Sequence, residues 1–164
     1  MQETYRKTVG LMCKVSMLHR YRISTAFLKL KVYRGQPEIL NYLITHGDCS
    51  QRELAEHLGV SPASIATSIK RMCKSGFVER TEDKKDRRIN RLKITEKGLQ
   101  AQKECMEICK NVDKEMFSGF SQEEIKGFSH MLERICDNLS GGSITEKEVI
   151  NYIKNEPKGD DNDD

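Results

Sequence analysis

The sequence predicts a mainly α-helical chain with one small β element, an α+β class, on three observations. Ser50 stands three residues before Glu53, the spacing of a capping box in which each side chain satisfies a backbone N–H at a helix start. Ser61 is an N-cap followed by Pro62, whose missing N–H costs nothing at the first helical position. Leu92 and Ile94 alternate with polar residues after a loop dense in Lys and Arg, the pattern of a hairpin's return strand. Two helices joined by a short Gly-containing turn and followed by a basic hairpin make a winged helix-turn-helix lobe. Apolar helical stretches before and after it supply long N- and C-terminal helices. The organisation expected is an N-terminal helix over 1–34, the lobe over 35–98, C-terminal helices over 99–155 and a disordered acidic tail over 156–164.

In chain order, Tyr5 to Tyr33 reads as one helix, with Val15, Leu18, Phe27 and Leu30 among its apolar positions. At 1.5 Å per residue it is about 40 Å long, more than a small lobe covers, so part of it packs on another long element. Gly35, Gln36 and Pro37 break the pattern, and Pro37 opens a helix closed by Gly47, with Ile39, Leu40, Leu43 and Ile44 as its apolar stripe. His46 is accounted for by its place at that helix's C-terminus rather than by a metal.

Ser50 opens the next helix and Gly59 stops it; Ser61 and Pro62 open another, ended by Gly76. In this last helix Ile65, Ile69 and Met72 recur at helical spacing and point inward, leaving Ser64, Thr67, Ser68, Arg71 and Lys74 outward. Small hydroxyls can approach base edges closely, while Arg and Lys reach guanine acceptors or phosphates, so this face suits a major groove. Phe77 and Val78 begin a strand, and between it and the return strand lies Thr81 to Arg91, with Lys84, Lys85, Arg87, Arg88 and Arg91. From Thr67 to Gly98 there are eleven Lys or Arg against five Asp or Glu, a net of +6, whereas the whole chain carries only +3. A hairpin tip this basic calls for an anionic partner, and a ribbon beside such a helix can lay an arginine into a minor groove.

The run from Asp86 to Gly98, DRRINRLKITEKG, resembles the wing signature of the MarR family of winged-helix transcriptional regulators: Asp-x-Arg, alternating apolar residues, then Leu or Ile-Thr-x-x-Gly. The preceding SQRELAEHLGVSPASIATSIKRMCKSGFVER resembles that family's helix-turn-helix. The resemblance implies a homodimer on a pseudo-palindromic double-stranded DNA operator, with Arg88 at the wing tip and Asp86 restraining the arginines around it. Thr67 departs from the pattern, standing where many relatives carry a longer basic residue. Residues and resemblance together nominate Ser50, Gln51, Ser61, Ala63, Ser64, Thr67, Ser68, Lys70, Arg71, Lys74, Lys84, Lys85, Arg87 and Arg88 as DNA-binding, with Asp86 as wing support.

After Gly98 the chain is helical from about Glu96 to Phe117 and again from Ser121, which forms a capping box with Glu124. Ile125, Phe128, Leu132, Ile135 and Leu139 recur at steps of three and four, a coiled-coil-like seam. An intramolecular bundle with the first helix and a dimer both bury it; two half-sites need two recognition helices, which favours the dimer. Ser140 to Ser143 is a joint, ITEKEVINYIKN a short terminal helix, and Ser140 to Asp164 carries three Lys against seven acids, a net of −4, so this end points away from DNA.

At 164 residues, 32% charged and 37% hydrophobic, the chain can bury one real core. No run approaches 18 apolar residues and no signal-peptide layout opens it, so a cytoplasmic protein without a membrane segment is expected. Six cysteines without a CxxC pair are read as free thiols. Cys105 and Cys109 lie one turn apart, but a metal needs two further ligands, so core packing explains them and neither metal nor cofactor is expected. No Gly-rich phosphate loop, Ser/His/Asp order or nucleophile elbow argues for an enzyme. The function expected is a DNA-binding repressor released by a small-molecule effector. Its rivals are a redox-sensing regulator using Cys13, since some MarR-like peroxide sensors carry a reactive cysteine in the first long helix, and a winged helix used for protein contacts.

Overall fold

Helix caps partition the chain. The computed structural model describes residues 1–82, 90–145, 148–150 and 152. Its elements are α1 (Gln2–Lys29), α2 (Gln36–His46), β1 (Cys49–Ser50), α3 (Gln51–Leu58), α4 (Pro62–Ser75), β2 (Val78–Glu82), β3 (Asn90–Ile94), α5 (Glu96–Met116) and α6 (Gln122–Ser140). The expected caps are all present. Ser50 Oγ accepts from the Glu53 N–H at 3.2 Å while the Ser50 N–H donates to Glu53 Oε2 at 2.7 Å. Ser121 and Glu124 repeat the arrangement at 3.2 and 2.8 Å. Gly59 and Gly76 close α3 and α4 in the left-handed region, where a β-carbon would be strained.

Two compact units form, Met1–Ser118 and Gly119–Asp164. In the first, the core gathers Ile39, Leu40 and Leu43 of α2, Leu54 of α3, Ile65, Ile69 and Met72 of α4, Phe77, Val78 and Leu92 at the sheet, and Ala101 and Cys105 of α5. Each large aliphatic side chain so buried contributes about 1.5–3 kcal/mol, and the expected inward stripes of α2 and α4 supply most of them; Ile44 alone among those residues stays exposed, at 44%.

Two expectations need correction. The first helix ends at Lys29, four residues before Tyr33: Lys31 turns into the left-handed region at φ 58°, and Val32 drops fully buried into the core. The hairpin is also part of a three-stranded antiparallel sheet in the order β1-β3-β2, because Cys49 and Ser50 pair with Leu92 and Arg91. The anticipated strands themselves pair as Val78↔Ile94 through Glu82↔Asn90.

α1 buries no residue completely, and Tyr5, Val9, Met12, Val15 and Leu18 are all exposed. Phe27 and Leu30 at its end pack on the core. His19 Nε2 donates to Asp113 Oδ1 at 2.8 Å and Arg22 pairs with Glu115, tying α1 to α5 through exposed groups worth about 0–1 kcal/mol each.

In the second unit α6 likewise buries nothing completely; Phe128 is 45% and Leu139 79% exposed. Beyond Gly141, the Thr145 N–H and hydroxyl both donate to Glu148 Oε2 at 2.7 Å, lowering that carboxyl's pKa, and residues 148–150 and 152 are helical, as the short terminal helix requires. The expected acidic tail, 156–164, lies outside the described residues. No described helix is long and apolar enough to cross a membrane.

Candidate nucleic-acid interface

The run Ile94-Thr95-x-x-Gly98 builds the base of the wing. Thr95 Oγ1 accepts from the Gly98 N–H at 3.0 Å, capping α5, and donates to the Gly76 carbonyl at 2.6 Å, binding the start of α5 to the end of α4. The Thr95 N–H donates to the Phe77 carbonyl at 3.1 Å. One threonine therefore fixes three elements, and with them the angle at which β2 and β3 leave α4.

On α4 the apolar stripe faces the core and the nominated residues face out. Ala63, Ser64, Thr67, Lys70, Arg71 and Lys74 are exposed, and Ser68 is half-buried. Ser61 Oγ accepts from the Ser64 N–H at 3.2 Å and lies 2.9 Å from Ser64 Oγ, while the Thr67 hydroxyl donates back to the Ala63 carbonyl at 3.0 Å. The small hydroxyls are thus held by their own helix and present a low-relief face. Arg71 lies 5.8 Å from the centre of the Tyr33 ring, a cation–π contact that aims it across the C-terminal half of the helix. Lys70 is on the opposite flank, beside Ala66, Cys73, Val78, Glu79 and Arg80.

Ser50 and Gln51 are half-buried at the start of α3, where Ser50's hydroxyl is committed to the cap. The wing-tip residues Lys84, Lys85, Asp86, Arg87 and Arg88 lie outside the described residues. Below the tip, Arg91 Nη1 donates to the Asp48 carbonyl at 3.1 Å. Cys13 is exposed on α1.

Three aromatic rings gather between α2 and α3, a cluster that no sequence spacing announces as a whole. Tyr42 and His46 stack at 4.3 Å with 13° between their planes, and His57 of α3 closes on both, at 4.5 and 5.1 Å. These rings line a cleft of about 430 Å³ shared with Pro37, Glu38 and Asn41 of α2 and Gln102 of α5. Burial, then the nearby Cys49 thiol and Glu53 carboxylate, raises the Tyr42 phenol and keeps it neutral. Gln102 is 7% exposed, and among the described residues its Oε1 has no hydrogen-bond partner. The i, i+4 spacing of Tyr42 and His46 was the signal available; His57 arrives only through the fold.

The sequence profile of the MarR family matches residues 34–89. The uncharacterized HTH-type transcriptional regulator YwaE of Bacillus subtilis is 30% identical over 138 residues, covering 82% of this chain and 75% of that one. The crystal structure of YusO from Bacillus subtilis superposes with a TM-score of 0.75 at 21% identity, over 84% of this chain and 98% of that one. A Staphylococcus aureus MepR variant, solved bound to an oligodeoxyribonucleotide, superposes with a TM-score of 0.67 at 18% identity, over 80% of this chain and 97% of that one.

Proposed function

This chain belongs to the MarR family of HTH-type transcriptional regulators, and from that premise we propose that it is a homodimeric repressor, bound to a pseudo-palindromic DNA operator and released by a small-molecule effector. The observation that carries the reading is the outward face of α4, where hydroxyls and cations stand over a fully buried apolar stripe. Its N-terminal half offers Ser61, Ser64 and Thr67 to base edges, and its C-terminal half offers Arg71 and Lys74 to phosphates. The MepR variant, of like fold, binds DNA, which supports the same use here. The wing, through Arg88, reaches the flanking minor groove.

Two copies are needed to read two half-sites about 10 base pairs apart. The exposed apolar residues of α1, and separately those of α6, are the surfaces a second copy covers. For the effector, the cleft floored by Tyr42, His46 and His57 offers stacking surfaces, and Gln102 an acceptor awaiting a donor. A ligand there acts by favouring a lobe spacing that no longer matches two successive grooves.

Selecting bound sequences from a random duplex library tests this. A pseudo-palindrome is expected, bound with log K falling linearly as log salt rises. Enrichment of no sequence, with affinity flat in salt, overturns it.

A further inference from the structure

We propose that the cleft between the C-terminal ends of α1 and α4 and the first turn of α5 binds a compact polyanion, a small molecule carrying two or more phosphate groups, which withdraws Arg71 and Lys74 from DNA. The withdrawal rests on the DNA-binding reading above; the anion site itself does not.

The cleft has a volume of about 820 Å³, within the range of small-molecule sites. Among the described residues five cations line it, Lys29 from the end of α1, Lys31 from the turn that follows, Arg71 and Lys74 from α4, and Lys97 from α5, with no Asp or Glu beside them. Among the described residues none of the five has a carboxylate oxygen within 4.0 Å. The competing account is that lysines at helix ends offset helix dipoles. Both α1 and α4 do end here, but each C-terminus supplies only about half a negative charge. Set against five cations and the half positive charge at the start of α5, that leaves an excess of about four to five positive charges. One carboxylate would remove at most about a quarter of the excess; two phosphates would remove most of it.

Part of the site is already in place. The Lys97 ammonium donates to the Ser75 carbonyl at 2.7 Å and lies 5.5 Å from the centre of the Phe77 ring. Arg71 is held over Tyr33. Lys31, among the described residues, is the non-glycine residue in the left-handed region, a conformation that residues with a β-carbon seldom adopt. Groups fixed before a ligand arrives lose less freedom on binding it, and a guanidinium among ammoniums matches phosphate oxygens. A duplex backbone spreads single charges along its strand, whereas these five cations line one hollow, which favours a ligand with its charges close together.

The test uses the full chain and inorganic pyrophosphate, titrated calorimetrically without DNA and compared with sodium chloride at equal ionic strength. The parent is expected to bind one pyrophosphate per chain, and the double variant Lys29→Gln with Lys31→Gln to bind at least about tenfold more weakly, as expected when charged hydrogen bonds are lost. On the selected operator, pyrophosphate should lower the parent's affinity beyond the salt-matched control. The double variant should hold DNA within about threefold of the parent, a difference under 1 kcal/mol, and no longer respond to pyrophosphate. Parent heat no larger than the chloride control, or a double variant that binds pyrophosphate as the parent does, overturns the proposal. So does a double variant whose DNA affinity and salt slope both fall, because the cleft then seats backbone phosphates. Should the parent bind no DNA at all, the functional reading fails while the calorimetry still decides the cleft.

Discussion

Gly98 lies so close to Phe77 that a β-carbon built on it would stand 2.1 Å from the Phe77 carbonyl oxygen and 2.8 Å from Ile94 Cγ1. That oxygen is backbone, already accepting from Thr95, and cannot swing aside. The glycine of the Ile-Thr-x-x-Gly motif is therefore required by close approach, and α5 can start against the root of the sheet only if position 98 has no side chain.

Gly98→Ala is expected to lower stability by about 2–3 kcal/mol through overpacking, seen as an earlier denaturation midpoint. Thr95→Val should cost about 1 kcal/mol as a lost cap. An alanine variant within 0.5 kcal/mol of the parent, about the limit for innocuous surface changes, would mean that α5 can shift away from Phe77.

Burial pushes the Cys49 and Cys105 thiols up to about 11, helped by the Glu53 carboxylate for Cys49 and by the Cys109 thiol for Cys105. A folded-state value above the unfolded one means that the native state holds these protons longer, so the associated stability is complete below the ordinary thiol value near 9. It is lost as pH rises from there toward 11. Chemical denaturation at a series of pH values should show this contribution disappearing over that window, and a Cys49→Ala, Cys105→Ala variant should show a shallower alkaline decline. With a colorimetric disulfide reagent at pH 8, buried Cys49 and Cys105 should react only on unfolding. Rapid reaction of all six thiols would contradict the burial.

Arg88→Ala should weaken operator binding by about 1–3 kcal/mol and relax preference in the flanks, where narrow A·T-rich minor grooves attract arginine. Arg71→Ala should weaken binding chiefly by reducing the salt slope, as loss of a phosphate contact does. Both variants should stay folded, since neither replaces an apolar side chain. Operator affinity unchanged in Arg88→Ala at the same salt concentration would remove the wing from the mechanism.

Sedimentation at micromolar concentration is expected to give twice the 18.9 kDa chain mass. Val9→Asp with Met12→Asp, on the exposed apolar side of α1, should shift the species toward a single chain and weaken operator binding with it. A parent that sediments as a single chain would defeat the dimer.

What could be read in advance was what is local in the chain. Ser50 with Glu53, Ser61 with Pro62, and Ser121 with Glu124 mark helix starts because each cap is closed within three residues. The apolar stripe of α4 followed from helical spacing alone. β1 was illegible because its two residues become a strand only through partners more than forty positions away. The end of α1 is hidden in the sequence because Leu30 and Val32 continue an apolar rhythm while Lys31, with neither Gly nor Pro to signal it, reverses the backbone. The ring-lined cleft and the basic cleft each draw residues from three elements, and no spacing rule connects Lys29 to Lys97.

The short pairing of β1 with β3 reaches further than its length suggests. Ser50 caps the first helix of the helix-turn-helix and also pairs with Arg91, the residue that leads down from the wing. On the proposed reading, that tie holds the helix-turn-helix and the root of the wing together as one reading head. An operator with one base pair inserted inside a half-site should therefore be bound more weakly than the parent operator. Drift in operator sequence would then preserve the length of each half-site more strictly than its letters.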